Sequence, residues 1–200
     1  MSDSLLHRIV AIPQIYNAAQ FVAGARLVQK RLKQSTATLK NAHRVLDLGG
    51  GTGLHRELWS RESAYICLDS DPQKLQGFRA RHEDGLAILG DATRVPMRDN
   101  TLDVVICTSV SHHIPDELFQ QFVSEAMRVL KNDGHFVFLD AVWQPRRPVA
   151  RLLWKYDRGS FPRSSKALRK VLSQHGTVIR AERFAVLHEY LLCVVTKSAL

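Results

Sequence analysis

Residues 47–53 combine a carboxylate with a glycine-rich run that could bind a small anionic ligand. The segment reads Asp-Leu-Gly-Gly-Gly-Thr-Gly and follows a short apolar stretch. Gly49, Gly51 and Gly53 allow a tight turn, and a ligand can approach their backbone without meeting a Cβ. A helix after the turn would add free N–H groups and a positive dipole end, which suit a carboxylate or phosphate. The alternative is a tight turn that binds nothing.

Three acidic residues each follow an apolar stretch of strand length. Asp47 precedes the glycines, Asp69 ends the second stretch, and Asp91 follows the third. Asp71 with Pro72 supplies the N-cap and first position of the next helix, so Asp69 is expected to remain available to a ligand. An acid at this place commonly accepts hydrogen bonds from ribose hydroxyls. If the strands are parallel, all three acids lie along the edge where open α/β sheets bind ligands.

Two adjacent histidines, His112 and His113, follow the fourth apolar stretch. A histidine can act as a general base near neutral pH, so one of the pair is a candidate catalytic residue, with His112 slightly favoured by position. The alternative is that both residues pack or cap a helix starting at Asp116.

From residue 43 onward, apolar stretches alternate with helical patterns. Strands are predicted at 44–48, 64–68, 86–89, 102–108, 135–141, 177–184 and 190–196. Helices are predicted at 54–61, from Pro72, at 116–130 (with Leu118, Phe122, Ala126 and Val129 on one side) and from Ser164 or Ser165 to about His175. This series predicts an α/β fold whose sheet is mostly parallel, with an antiparallel C-terminal strand and helices on both faces.

Two basic segments flank an acidic centre. Residues 1–44 carry a net charge of +6, residues 45–144 of −6 and residues 145–183 of +9. Residues 1–42 are predicted to be a helical extension or lid, with a break at Pro13. Residues 43–200 are predicted to be the α/β domain, with a basic substrate-side segment at 142–176. The basic flanks favour an anionic partner, or they are a solvated surface without one.

Composition excludes several classes of protein. The 200 residues include 45% hydrophobic and 24% charged residues, which argues against disorder. The three cysteines are odd in number and widely spaced, which argues against disulfides and a metal site and predicts buried core thiols. No apolar run is long enough for a membrane span, and the first residues lack a signal-peptide pattern, so a cytoplasmic location is expected.

As an ordered set, these motifs resemble the class I S-adenosylmethionine (SAM)-dependent methyltransferases. They are similar in particular to the group that includes quinone-biosynthesis and other small-molecule methyltransferases. The matching segments, over roughly residues 43–141, are 47–53, 69–72, 90–92, 102–105, 112–114 and 128–134. The resemblance implies a Rossmann-like sheet, SAM as the cofactor and methyl transfer as the reaction.

The resemblance also implies roles for individual residues. The cofactor-binding residues that it implies are Asp47, Gly49, Gly51, Gly53, Asp69, Ser70, Asp91, Ala92 and Thr108. Asp69 would bind both ribose hydroxyls, Asp91 would bind the adenine amine, and Thr108 would lie near the reactive methyl group. Ser70 and Arg94 could flank the adenine. No metal is implied. A nicotinamide enzyme is disfavoured because the glycines lack the Gly-x-Gly-x-x-Gly spacing.

The predicted substrate is a small molecule or a lipid-linked acceptor. Aromatic and arginine residues in the basic segment could form a wall for an aromatic or anionic substrate: Trp143, Arg146, Arg147, Arg151, Trp154, Tyr156, Arg158, Phe161 and Arg163. The signature motifs of nucleic-acid methylases are absent, so nucleic acid is disfavoured. The alternatives are a catalytically silent SAM-binding subunit and an RNA-directed methyltransferase using the basic flanks. The apolar stripe 5–12 could dock on anionic lipid. Nothing indicates the oligomeric state.

Overall fold

A seven-stranded sheet organises the chain in a computed structural model that describes residues 25–148, 150–151, 154, 161–186 and 188–197. The strands are β1 (Arg44–Leu48), β2 (Ala64–Asp69), β3 (Leu86–Leu89), β4 (Leu102–Thr108), β5 (Leu130–Val142), β6 (Thr177–Ala185) and β7 (Glu189–Thr196). Their order is β3-β2-β1-β4-β5-β7-β6. The first five strands are mutually parallel, and β7 is antiparallel to both of its neighbours. The predicted fold class is confirmed.

Helices cover both faces of this sheet. They are α1 (Arg26–Thr36), α2 (Pro72–Arg79), α3 (Asp116–Val129) and α4 (Ser165–His175). Strand side chains alternate between the faces, since Leu46 joins the core under α3 and α4 while Val45 joins the core under α1 and α2. All three cysteines lie in strands and are buried free thiols, as predicted.

The predicted helix starts have the expected capping. The Asp71 side chain accepts hydrogen bonds from the backbone N–H groups of Gln73 and Lys74, and Pro72 opens α2. Ser164 caps α4 by accepting from the backbone N–H of Ala167. These local interactions fix where each helix begins.

The helix predicted at 54–61 is wrong. The structure has only a short 3-10 helix there, Arg56–Leu58. The Arg56 guanidinium is buried and donates to the carbonyls of Ser60 and Arg61 and to the carboxylate of Asp84. These contacts satisfy carbonyls that follow the short helix and turn the chain back toward β2. Only one of the three partners, Asp84, is distant in sequence.

Two further details differ from the prediction: one buried side chain of α3 and the start of β5. In α3, Phe122, Ala126 and Val129 are buried as predicted, but Leu118 is exposed and Phe119 is buried instead. Strand β5 starts at Leu130, directly after α3, rather than at residue 135. The additional residues are accommodated as an irregularity in the pairing with β4.

The N-terminal prediction is only partly within the described residues. Helix α1 ends at Thr36, and its Leu32 is fully buried in the core. The predicted break at Pro13 and the apolar stripe at 5–12 lie outside the described residues. In the described part of the chain, no helix has the length and apolarity needed to cross a membrane.

Candidate active site

The candidate residues lie at the carboxyl ends of five neighbouring strands. In the order β3-β2-β1-β4-β5, these ends carry Asp91, Asp69, Asp47, Thr108 and Asp140. Open α/β sheets bind ligands at this edge, beside the point where the strand order reverses. Here the reversal lies between β1 and β4, next to the glycine loop. The predicted edge for the three acids is confirmed.

The glycine loop has a backbone that other residues would strain. Gly49 has φ +69° and Gly53 has φ +77°, both in the left-handed region. A Cβ on Gly49 would collide with the Val110 side chain after β4, and one on Gly53 would lie 2.5 Å from the Phe78 ring. The loop backbone therefore lies close to the neighbouring elements, where a side chain on Gly49 or Gly53 would not fit.

Asp47 lies beneath this loop rather than projecting from it. Its carboxyl is fully buried, and one oxygen accepts a hydrogen bond from the Tyr65 hydroxyl. Burial raises the pKa of Asp47, and that shift is opposed by nearby His55 and by the Tyr65 hydrogen bond. The other oxygen, Oδ1, has no hydrogen-bond partner among the described residues. Asp47 thus supports the loop and keeps one unpaired acceptor.

Asp69 has a structural role that the sequence argument missed. Its carboxylate accepts hydrogen bonds from the backbone N–H groups of Gly51 and Asp71, each at 2.9 Å. Lys74 lies 4.0 Å from one of its oxygens, and only 4% of Asp69 is exposed. Asp71 caps α2 as predicted, but Asp69 is not without partners, because each of its oxygens already accepts one backbone hydrogen bond. Asp69 ties the glycine loop to β2.

The segment after β3 forms a small polar turn. Asp91 Oδ1 accepts from both the backbone N–H and the hydroxyl of Thr93, each at 2.8 Å. Asp91 itself is exposed and Ala92 is half-buried. Ser70, which follows β2, and Arg94 are also exposed. The structure thus places the residues predicted to surround an adenine on the two neighbouring strand ends β2 and β3.

Thr108 forms a contact across the strand-order reversal. Its hydroxyl lies 2.6 Å from Nε2 of His55, which follows the glycine loop. The other ring nitrogen of His55 is buried, with no hydrogen-bond partner among the described residues. Ser109, the next residue, has φ +56°, an uncommon conformation for a residue other than glycine. Strained backbone of this kind is typical of functional sites.

His112 belongs to a buried polar network centred on Asp140. Its Nδ1 lies 2.6 Å from Asp140 Oδ1, and its backbone N–H donates to Oδ2. The hydroxyl of Ser111 donates to the same oxygen at 2.5 Å. Asp140 is fully buried and fixes the orientation of His112. The His113 ring is 4.2 Å from the His112 ring, and His113 is exposed.

Arg163 holds the segment that carries this network. Its guanidinium donates to the carbonyls of Ser111 and Ile114, each at 2.7 Å, and pairs with the carboxylate of Asp116 at 2.6 Å. It also lies 4.3 Å above the ring of Phe119. Four different groups therefore contact one buried cation.

The predicted aromatic and arginine wall is partly wrong. Arg163 and Trp154 are buried, at 8% and 6% exposure, since both pack beside the His112 segment. Trp143, Arg146 and Arg151 are exposed. Tyr156 and Arg158 lie outside the described residues.

Cys67 lies under the glycine loop, and the pKa of its thiol is raised. Burial, and then the charges of Asp47 and Asp69, raise its pKa to about 12. The thiolate is the nucleophilic form of cysteine, so this residue is poorly reactive at neutral pH.

Sequence reasoning missed His55, Tyr65 and Asp140, and it assigned Arg163 to the substrate wall, where the structure buries it instead. A signal existed for one of them, because Asp140 places an acid near the end of an otherwise apolar strand. The others act through partners far away in sequence. No cluster of three or more metal-ligating side chains occurs among residues that the structure describes.

Comparisons with known proteins agree with this geometry. A family model described as "Methyltransferase domain" matches residues 46–138. The uncharacterized methyltransferase YcgJ of Bacillus subtilis is 33% identical over 121 residues, which is 57% of this chain and 46% of that protein. A phthiotriol/phenolphthiotriol dimycocerosates methyltransferase of Mycobacterium leprae is 34% identical over 135 residues, covering 63% and 47%. The chain spans about half the length of these relatives.

Solved structures show the same fold. The crystal structure of the Bacillus subtilis YcgJ protein superimposes with a TM-score of 0.70 at 17% identity, covering 86% of this chain and 99% of that one. A magnesium protoporphyrin IX methyltransferase from Synechocystis, solved with bound S-adenosylhomocysteine (SAH), gives 0.71 at 15% identity, covering 88% and 84%.

Residues 46–138 therefore resemble a methyltransferase domain. The whole described chain has the fold of solved methyltransferase structures.

Proposed function

We propose that the protein is an enzyme that transfers the methyl group of SAM to a small-molecule or lipid-linked acceptor. The observation that carries the proposal is the row of acids at the ends of β1, β2 and β3, beside a glycine loop that cannot accept side chains. Carboxylates at two strand ends suit the hydroxyls and amine of an adenosine. An open backbone loop suits the amino-acid portion of the cofactor.

The residues present fit that cofactor. Asp47 Oδ1 and His55 Nδ1 are buried polar atoms with no hydrogen-bond partner among the described residues. Such atoms in a native protein call for an explanation, and a bound polar group is one. An unpaired carboxylate oxygen suits the ammonium group of the methionine portion. SAM supplies, when bound, a methyl group already activated on a sulfonium.

The protein then has to position the acceptor and exclude water rather than generate a reactive group. Asp69 and Asp91 would hold the ribose and the adenine, while the backbone of Gly49 and Gly51 would hold the methionine portion. Thr108, at the end of β4, would face the reacting atoms. His55 orients the Thr108 hydroxyl through their 2.6 Å contact.

A general base is required if the acceptor atom holds a proton at the working pH. We assign this role to His112, with His113 as the exposed neighbour that shapes the entrance. The assignment is supported by the carboxylate of Asp140 at Nδ1, because a proton on Nδ1 leaves Nε2 as the basic nitrogen of the neutral ring. Asp140 is a positioning residue in this scheme.

Two similar proteins bear on the class of acceptor. The Mycobacterium leprae relative is named for phthiotriol and phenolphthiotriol dimycocerosates, and the Synechocystis structure for magnesium protoporphyrin IX. Exposed Trp143 near the carboxyl end of β5 supplies an apolar surface for a large acceptor. These observations favour a bulky, partly apolar acceptor at this end of the sheet.

The first test of the proposal is calorimetric titration of the wild-type protein with SAM and with SAH. We expect binding in the micromolar range for both, because the loop and the acids are preorganised. NAD⁺ serves as the control ligand and should bind at least about a hundredfold more weakly. A folded protein that binds neither SAM nor SAH would contradict the proposed function.

Replacing Asp140 by asparagine is expected to invert the tautomer of His112. The aspartate carboxylate accepts a hydrogen bond from Nδ1–H, whereas the asparagine amide can donate a hydrogen bond to Nδ1 and so favours a proton on Nε2. Long-range ¹H–¹⁵N NMR spectra at a pH where the ring is neutral report which nitrogen is protonated. His112→Gln identifies the signal among the nine histidines.

The control for this experiment is Asp103→Asn, which removes a carboxylate at the opposite end of β4. Asp103 pairs with Lys131 and accepts from the Arg44 backbone, away from His112. Its variant should leave the His112 signal unchanged. An unchanged tautomer in the Asp140 variant would count against the assigned role.

A further inference from the structure

A basic groove lies between α4 and the edge strand β6, outside the candidate active site. It has a volume of about 560 Å³, within the range of small-molecule sites. Its polar lining comprises Ser165, Lys166, Arg169, Lys170, Ser173 and Arg183. Ala181 and Leu191 add apolar lining from β6 and β7. The groove therefore holds four cationic side chains and no carboxylate in its lining.

The helical spacing of α4 concentrates these cations on one side. Lys166, Arg169, Lys170 and Ser173 follow the spacing of residues that share a helix face. The core-facing side of the helix carries buried Leu168 and Leu172 instead. The hydrophobic core thus sets the orientation of α4, and with it the direction of the basic face.

Few carboxylates lie close enough to the groove to neutralise the positive charge of its lysines and arginines. In the described ranges, Lys166, Arg169 and Lys170 have no acidic group within ion-pair distance. Arg183 has Glu189 at 3.4 Å but is 60% exposed, so the pair is weak. Glu182 pairs instead with Arg31 and Arg180. Like charges held together repel one another, which an anionic ligand relieves.

We propose that this groove binds a phosphate-bearing ligand, either a soluble phosphate ester or the phosphate headgroup of a lipid. Two arginines offer planar forks that match phosphate oxygens, two lysines add point charges, and two serines add hydroxyls. Phosphate groups carry more charge than a single carboxylate and so match several cations better. The apolar part of the lining is limited to Ala181 and Leu191. The recess therefore suits a ligand that enters it more than a partner with a flat surface.

The test uses inorganic pyrophosphate as the probe, titrated by calorimetry into the full chain. The groove variant is Lys166→Ala/Arg169→Ala/Lys170→Ala, whose three side chains are exposed and make no ion pair in the described structure. The matched control is Lys33→Ala/Lys40→Ala/Arg98→Ala, which removes the same charge from other exposed positions. We expect pyrophosphate to bind the groove variant about tenfold or more weakly than wild type, and the control variant within about twofold.

Vesicles of phosphatidylcholine with and without phosphatidic acid identify the source of the phosphate. Binding only to vesicles with phosphatidic acid, competed by pyrophosphate and lost in the groove variant, supports a lipid headgroup. Pyrophosphate binding without vesicle binding supports a soluble ester.

Three results would overturn the proposal. Equal weakening in the groove and control variants would indicate general charge attraction. Wild-type protein that binds neither pyrophosphate nor vesicles would rule the site out. Binding of a single-stranded oligoribonucleotide, without binding of pyrophosphate, would assign the groove to nucleic acid. SAH titration of every variant reports the cofactor site separately, so failure here is distinguishable from failure of the proposed methyl transfer.

Discussion

Asp69→Ala is expected to weaken SAH binding by about a hundredfold or more. Hydrogen bonds to a charged group contribute about 1.5–3 kcal/mol each, and the proposed role of Asp69 includes two, to the ribose hydroxyls. The substitution also releases the backbone amides of Gly51 and Asp71, which loosens the glycine loop. Both effects act in the same direction. Calorimetric titration of SAH into wild type and variant measures the loss.

The control for this variant lies two residues away. Asp71→Ala removes a carboxylate that caps α2 and that has no proposed role in cofactor binding. It should cost about 1 kcal/mol of the free energy of unfolding and leave the SAH affinity within about threefold of wild type. SAH affinity retained in Asp69→Ala would remove the ribose role from Asp69.

Arg163→Met is expected to lower the free energy of unfolding by about 2–4 kcal/mol. The methionine preserves much of the volume but leaves the carbonyls of Ser111 and Ile114 without their donor, at about 1–3 kcal/mol for each buried polar group. Loss of the cation above Phe119 adds to this. The pair with Asp116 adds little, because Asp116 is 74% exposed. Urea unfolding followed by circular dichroism measures the change.

Arg163→Lys separates the geometry of the guanidinium from its charge, and Arg180→Met is the control variant. Arg163→Lys keeps the charge but cannot donate to several groups at once, so its stability should be intermediate. Arg180→Met removes an arginine from β6 that is 43% exposed and should change the stability by less than about 0.5 kcal/mol. Wild-type stability in Arg163→Met would show that the segment 111–116 is held by other contacts.

The stability effect at Arg163 also bears on the candidate base. Arg163 holds the carbonyl of Ser111, while Asp140 holds the Ser111 hydroxyl and the His112 ring. The two buried side chains therefore hold the same short segment. Loosening that segment should disturb His112 even where the overall fold survives.

Much of the fold was predictable because its signals are local. Strands β1, β3 and β4 have the predicted bounds, since each is a short apolar run ending at a polar or glycine-rich turn. The caps at Asp71 and Ser164 involve residues within one helical turn. The glycine loop was recognisable because only glycine adopts its backbone conformation easily.

The errors come from contacts between distant segments. The pattern at 54–61 is compatible with a helix, but the structure forms only one 3-10 turn there, in which Arg56 pairs with Asp84. In α3, Phe122, Ala126 and Val129 are buried as predicted, whereas Leu118 is exposed and Phe119 packs under Arg163 instead. The local sequence around Arg56 or Phe119 gives no indication of either contact.

The class of fold, the glycine loop and the three acids at the first strand ends were predictable from the residues alone, since strand periodicity, helix caps and glycine conformations are properties of short segments. Three features emerged only from the folded chain: Asp69 anchors the loop, Asp140 orients His112, and Arg163 is buried rather than facing a substrate. A buried polar or charged group is stable only when partners surround it, and here the fold brings those partners together from separate segments.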